Sequence, residues 1–369
     1  MRILHFYKSY YPYSTGGVEQ TIQQITTGLS EYGVKSDIVS LSSKKNETHN
    51  VDEMINVHFC KSIFKIASTP FSISAYRKFS KLVSSADIVH YHFPYPFADI
   101  LHFLSNMNKP SIVTYHSDVV RQKFLSKIYS PLMKRFLASV NKIIVTSPNY
   151  LQSSKVLDVY RNKVEMIPIG IGEQNFPKPQ SNKLDLIKSV LKPGYFLFVG
   201  VLRYYKGLDI LINAAEYTKC PIVIAGSGPL ENELKLQARK KNLKNIYFLG
   251  FVSESEKAEL YRSCLGVVFP SNYRSEAFGI TLVEGLMYEK PLISCEIGTG
   301  TSYINLNNKT GFVVPHSDHM ALANAMNTLF INPSLRYSMG EASGIRFRNN
   351  FTQKKMSESY LEQYKALLK

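Results

Sequence analysis

The chain has no tryptophan, only four cysteines, and no apolar run of the roughly 18 to 20 residues that a membrane-spanning helix needs. Cys60, Cys220, Cys264 and Cys295 are scattered, without the paired spacing of a zinc site or a disulfide framework, which predicts a reduced, cytoplasmic protein. Acidic residues are also scarce. Over 369 residues, 28 Asp and Glu stand against 44 Lys and Arg, a formal charge of +16. That excess favours polyanionic partners: nucleic acid, acidic lipid headgroups or phosphorylated substrates. Hydrophobic residues at 44% and charged residues at 20% are ordinary globular usage, which excludes disordered and fibrous classes. The length suits two domains at about 150 residues each. The N-terminal Met1-Arg2-Ile3-Leu4-His5-Phe6-Tyr7 reads as a first strand, since a signal peptide would carry a longer apolar stretch.

What is present is alternation. Short apolar runs at 2–7, 34–41, 87–91, 111–115, 142–146 and 164–167 are separated by helical stretches, the pattern of βαβ units and parallel sheets. Val18, Ile22, Ile25 and Leu29 recur at helical spacing, with Gly33 as a stop. The pattern lapses over residues 174–193, a Pro- and Lys-bearing stretch that reads as a linker. It resumes with strands at 195–200, 222–225, 246–249, 265–269 and 291–294, then a helical tail from Asp318. The expected architecture is α/β: two Rossmann-like, doubly wound domains, residues 1–173 and 194–345, with the active site in the cleft between them and residues 346–369 crossing back to the first.

The sharpest motif is Ser275-Glu276-Ala277-Phe278-Gly279-Ile280, followed by Glu284. It comes after a buried-looking strand and opens a helix, so the N–H groups of Phe278, Gly279 and Ile280 stand where a helix start binds a diphosphate. Glu276 and Glu284, eight residues apart, can each accept paired hydrogen bonds from vicinal hydroxyls of a sugar or ribose. Arg203 and Lys206, at an earlier strand end, place two cations where a diphosphate would leave. In the first half, Gly16-Gly17-Val18-Glu19 follows the first strand and opens a helix, and His116 ends a strand, as do His90 and His92.

Together these motifs resemble the retaining, GT-B fold glycosyltransferases of family 4. The resemblance implies that Glu276 touches the transferred sugar, Glu284 the nucleotide ribose and the Val252 segment the base. It further implies that Arg203, Lys206, Phe278, Gly279 and Ile280 hold the diphosphate, that Gly16 and Gly17 lie near donor and acceptor, and that His116 borders the reacting sugar. Two positions depart from the family: Val201 stands where Arg is common, and the first domain closes on Ile169-Gly170-Ile171-Gly172. With Cys295 to Tyr303, these variants resemble bacterial mannosyltransferases of O-antigen and surface-polysaccharide assembly. No Asp-x-Asp is present, and the pair His316 and His319 reads as part of a solvated loop, so neither metal nor cofactor is expected.

The segment 121–137 interleaves cations, among them Lys123, Lys127, Lys134 and Arg135, with large apolar residues, and Pro131 is expected to split it into two short helices. It reads either as a core-facing helix with a solvated basic face or as a surface resting on anionic lipid. The expectation is a peripheral enzyme on the cytoplasmic face of the inner membrane. Its substrates would be a nucleotide diphosphate sugar, GDP-mannose first, and a lipid-linked saccharide. A UDP-sugar donor, a nucleotide-sugar epimerase and a nucleic-acid-binding protein are the alternatives. No nucleic-acid motif accompanies the charge, so nucleic acid is not expected as a partner.

Overall fold

The computed structural model describes residues 1–66, 69–105, 108–119, 123–172 and 194–369, without the side chains of residues 123–126. The expected linker, 174–193, lies outside the described residues. Two compact units form: Met1–Gly172 with Gln353–Lys369, and Glu173–Thr352.

The first unit is built on eight strands. They are β1 (Arg2–Phe6), β2 (Lys35–Ser42), β3 (Glu47–Asn50), β4 (Ile55–Lys61), β7 (Ile88–Phe93), β8 (Ser111–Tyr115), β9 (Lys142–Val145) and β10 (Val164–Met166), ordered β10-β9-β8-β7-β1-β2-β4-β3. A separate hairpin pairs β5 (Phe64–Ile66) with β6 (Thr69–Phe71). Within the eight-stranded sheet every pairing is parallel except β3 with β4 at the edge. The central strands β7 and β8 are buried along their whole length, as expected for a parallel sheet covered on both faces. The order in which strands are added reverses between β1 and β7, so their carboxyl ends form a topological switch point.

The Gly17–Ser30 helix follows β1, buries Ile22, Ile25 and Leu29, and stops near Gly33, which takes φ +73°. The C-terminal helix Gln353–Leu367 packs on the Gly17–Ser30 helix so closely that a Cβ on Gly28 would lie 2.1 Å from Ser357 Oγ. This crossing begins at Gln353, not at residue 346. Arg346 still belongs to the second unit, donating from Nε to the Ile304 carbonyl at 2.8 Å, and buried Phe351 meets the Tyr303 ring.

Pro131 does not split the basic segment. One helix runs from Lys123 to Ser139 with Pro131 inside it. Met133, Phe136 and Leu137 are buried, and that anchoring outweighs the single backbone donor that proline removes.

The second unit carries β11 (Phe196–Val199), β12 (Ile222–Ala225), β13 (Ile246–Gly250), β14 (Gly266–Phe269), β15 (Leu292–Glu296) and β16 (Gly311–Pro315), all parallel, ordered β13-β12-β11-β14-β15-β16. That is the doubly wound dinucleotide-fold order, and its switch point lies between β11 and β14. Phe196, Phe198, Val268, Ile293, Leu322 and Met326 form its core against the helices. Among the described residues, no helix is long and apolar enough to cross a membrane.

Candidate active site

Glycines bring the two sides of the second switch point into contact. After β11 the chain turns through Gly207, at φ +65°, where a Cβ would sit 2.0 Å from the Pro270 carbonyl oxygen just past β14. Only a bare backbone lets the two strand ends approach so closely. Gly226 is equally constrained, since its Cβ would lie 2.0 Å from the Gly200 carbonyl oxygen.

This approach brings Lys206 to Glu276. Lys206 Nζ lies 2.5 Å from Glu276 Oε2, with both side chains 12% exposed, and Ser271 Oγ donates to the same oxygen at 3.4 Å. The ammonium also sits 4.8 Å from the centre of the Phe269 ring, which narrows its freedom further. Arg203 opens the same turn and is exposed, with its carbonyl accepting from the Lys206 N–H. Asn272 Oδ1, on the adjoining loop, is buried without a partner, an acceptor available to a ligand.

Gly279, at φ +99°, caps the Ile280–Met287 helix, with Phe278 buried beside it and the Thr281 hydroxyl bonded to the Val199 carbonyl of β11. Ile280 is the first residue of that helix, so its N–H is one of the donors that no helical carbonyl can reach. Glu284 lies one turn on and is 6% exposed. Its Oε1 meets Lys257 Nζ at 2.7 Å and its Oε2 accepts from the Tyr261 hydroxyl at 2.8 Å. The Lys257 amine is pushed up: burial opposes its charge, but Glu284 and Glu254 outweigh that effect. Sequence reasoning missed Lys257 and Tyr261. The Ser253–Glu256 capping box that starts their helix was the available signal. Val252 is half-buried just before that helix, beside exposed Phe251.

In the first unit, Gly16 is the N-cap of the helix that Gly17 begins. The loop is held by Glu19, 6% exposed, which accepts from Ser9 Oγ at 2.7 Å and Ser14 Oγ at 2.6 Å. A Cβ on Gly16 would strike the Glu19 carboxylate at 2.6 Å, so the glycine there makes room for the clamp. His116 follows β8, is 9% exposed, and shares a hydrogen bond of 3.1 Å with His92. Burial, assisted by the positive charge of Lys8, pushes its pKa down to about 3.

Lys127, Lys134 and Arg135 are exposed, Arg135 lying over the Phe103 ring at 4.9 Å, while the Lys123 side chain lies outside the described residues. Of the large apolar residues beside these cations, Met133, Phe136 and Leu137 are buried, whereas Ile128 is 65% exposed next to Lys127.

Residues 183–344 match the family model of glycosyl transferases group 1, and residues 15–174 match that of glycosyltransferase family 4. The D-rhamnosyltransferase WbpZ of Pseudomonas aeruginosa is 47% identical over 352 residues, spanning 95% of this chain and 92% of that protein. The O-antigen chain mannosyltransferase C of Escherichia coli is 45% identical over 368 residues, spanning 100% and 99%. Among solved structures, sucrose-phosphate synthase from Thermosynechococcus elongatus superposes with a TM-score of 0.81 at 18% identity, covering 99% of this chain and 98% of that one. Anabaena HepE in complex with UDP-glucose does so at 0.77 and 17%, covering 99% and 100%. At such identities the likeness concerns the fold.

Proposed function

The chain belongs to the group 1, family 4 glycosyltransferases, and from that membership we propose that it moves mannose from GDP-mannose onto a lipid-linked saccharide in O-antigen assembly, with retention at the anomeric carbon. The observation that carries the donor site is the Lys206–Glu276 pair at the second switch point. The names of the two relatives, a D-rhamnosyltransferase and an O-antigen chain mannosyltransferase, support a deoxyhexose or hexose donor.

In this reading the Glu276 carboxylate accepts hydrogen bonds from the sugar hydroxyls, and Lys206, already beside it, neutralises the diphosphate. Arg203 and the N–H groups of Phe278, Gly279 and Ile280 complete the anion site. Each Glu284 oxygen already holds one donor and keeps a further lone pair for a ribose hydroxyl. The acceptor oxygen bonds to the anomeric carbon as the carbon–phosphate oxygen bond breaks on the same face. The departing phosphate oxygen takes the acceptor's proton, so no protein nucleophile is needed. Gly16, Gly17 and His116 line the sugar and acceptor side. The side chains named supply the positive charge, so no metal or cofactor is required. The exposed cations of the Lys123–Ser139 helix support a peripheral position on the cytoplasmic face of the inner membrane, beside a lipid-linked acceptor.

The test is nucleoside diphosphate release across GDP- and UDP-sugars, with a lipid-linked saccharide, with and without EDTA. Acceptor-dependent GDP release from GDP-mannose, EDTA-insensitive and giving an α-linked product, is expected. UDP release alone would move the donor to UDP-sugars, and a donor altered without acceptor would favour an epimerase. Inhibition by EDTA reversed by Mg²⁺ would overturn the metal-free mechanism.

A further inference from the structure

A line of histidines runs from the middle of the first sheet to its carboxyl edge. His5 on β1, His92 on β7 and His116 just past β8 occupy three neighbouring strands, and the register sets them diagonally on one face. His5 Nδ1 lies 3.3 Å from His92 Nε2, and His92 Nδ1 lies 3.1 Å from His116 Nε2. The ring planes are within 18° and 22° of parallel, with centroids 5.6 and 5.4 Å apart. Those separations exceed the N···N distances by about two ring radii, so the rings meet edge to edge and each hydrogen bond lies along the line of centres.

His90 stands apart from this line. It stacks face-on against His92 at 4.4 Å, and its nitrogens bond to the Tyr364 hydroxyl at 2.6 Å and Thr114 Oγ1 at 2.7 Å. His5, His90 and His92 are close enough to suggest a ligand set, yet both His90 nitrogens are already committed.

Burial keeps the line neutral: His5 and His116 are pushed down to about 3, and His92 is held well below the usual range. A neutral imidazole has one N–H and one bare nitrogen, so all N–H groups in the line must point the same way. The inner end decides which way. His5 Nε2 is buried without a partner. An N–H there would be an orphaned donor, and an orphaned bare nitrogen costs less. The proton on His5 therefore sits on Nδ1 and is donated to His92 Nε2. His92 in turn donates from Nδ1 to His116 Nε2, which leaves the His116 proton on Nδ1.

We propose that His5 and His92 are positioning residues that hold His116 as its Nδ1–H tautomer, so that His116 presents a neutral donor, and not a base, to a hydroxyl oxygen of the transferred sugar. The tautomer follows from the histidine line alone, whereas its use on the sugar rests on the proposed function. Nitrogen-15 NMR of the whole wild-type protein, with His116→Gln to assign the signal, reads it without any variant of the line. His116 should show a protonated Nδ1 and a bare Nε2 at neutral pH, and the opposite pattern overturns the proposal. His92→Phe should release His116 to a mixture of tautomers. In the transfer assay that variant should lose kcat in proportion to the fraction of His116 carried into the other tautomer, about twofold for an even mixture. Its donor KM should stay within about twofold. His92→Asn, whose amide nitrogen can occupy the Nδ1 place, should restore both tautomer and rate. A single His116 tautomer persisting in His92→Phe overturns the positioning role. With the NMR pattern as stated but His116→Gln fully active, the tautomer stands and the contact with the sugar falls.

Discussion

The two units place their candidate residues at the same topological position, a switch point at the carboxyl end of a parallel sheet, yet fill it with opposite chemistry. In the second unit every carboxylate of the site holds a lysine, Glu276 with Lys206 and Glu284 with Lys257. In the first, Glu19 is held by two serine hydroxyls, and the histidines are neutral. A diphosphate needs fixed positive charge, whereas a sugar hydroxyl needs neutral, directional hydrogen bonds. The shared fold supplies the place, and the side chains divide the work between charge and geometry.

The sharpest break of that contrast is Glu276→Ala, which should abolish transfer while leaving the circular dichroism spectrum like the parent's. Its melting temperature should be lowered, because the buried Lys206 ammonium loses its partner. Near-parental turnover would remove Glu276 from the site. Next, Lys206→Ala should lower kcat by about 10² or more, the usual loss on deleting one transition-state charge partner. A change confined to donor affinity would show that the ammonium serves binding alone. Lys257→Met leaves the Glu284 carboxylate buried and unpaired, and should cost about 3 kcal/mol in denaturant unfolding. Unchanged stability would mean that Tyr261 alone satisfies Glu284.

Two smaller effects test the first unit. Changing Lys123, Lys127, Lys134 and Arg135 to Gln should weaken co-sedimentation with anionic liposomes by up to about 1 kcal/mol per cation, and added salt should mimic it. Liposome binding equal to the parent's would reduce the helix to an ordinary solvated face. The histidines predict a pH effect whose sign is fixed. His5 and His116 stand at about 3 in the folded chain against an ordinary 6.5. The unfolded chain therefore takes up protons first, so their contribution is complete above about pH 6.5 and is lost as pH falls. The melting temperature should drop between about pH 6.5 and pH 4, and less steeply in His5→Phe. Equal slopes would exonerate His5.

What could be read in the sequence was local. Glu276, Gly279 and Glu284 lie within nine residues of one another around one helix start, so a short stretch of chain is enough to mark them. The central strands were legible because their apolar runs are unbroken, as in Ile222–Ala225. Lys257 is 27 positions from Glu284, and His5 is 87 from His92, and no short-range pattern joins either pair. Only the order of strands, and of the helices packed on them, does, and that order is decided by the packing of the whole unit. The polar edge strand Glu47–Asn50 escaped notice for a related reason: half its side chains face solvent, so no apolar run marks it.

The packing of Gln353–Lys369 on the first unit bears on how the chain is made. Tyr360 and Tyr364 are buried there, bonded to Thr114 and His90, so that core is incomplete until they arrive. On the ribosome the first unit is thus the first to begin and the last to close. Residues Glu173–Thr352 emerge in one piece and can fold while their predecessor still waits for its final helix.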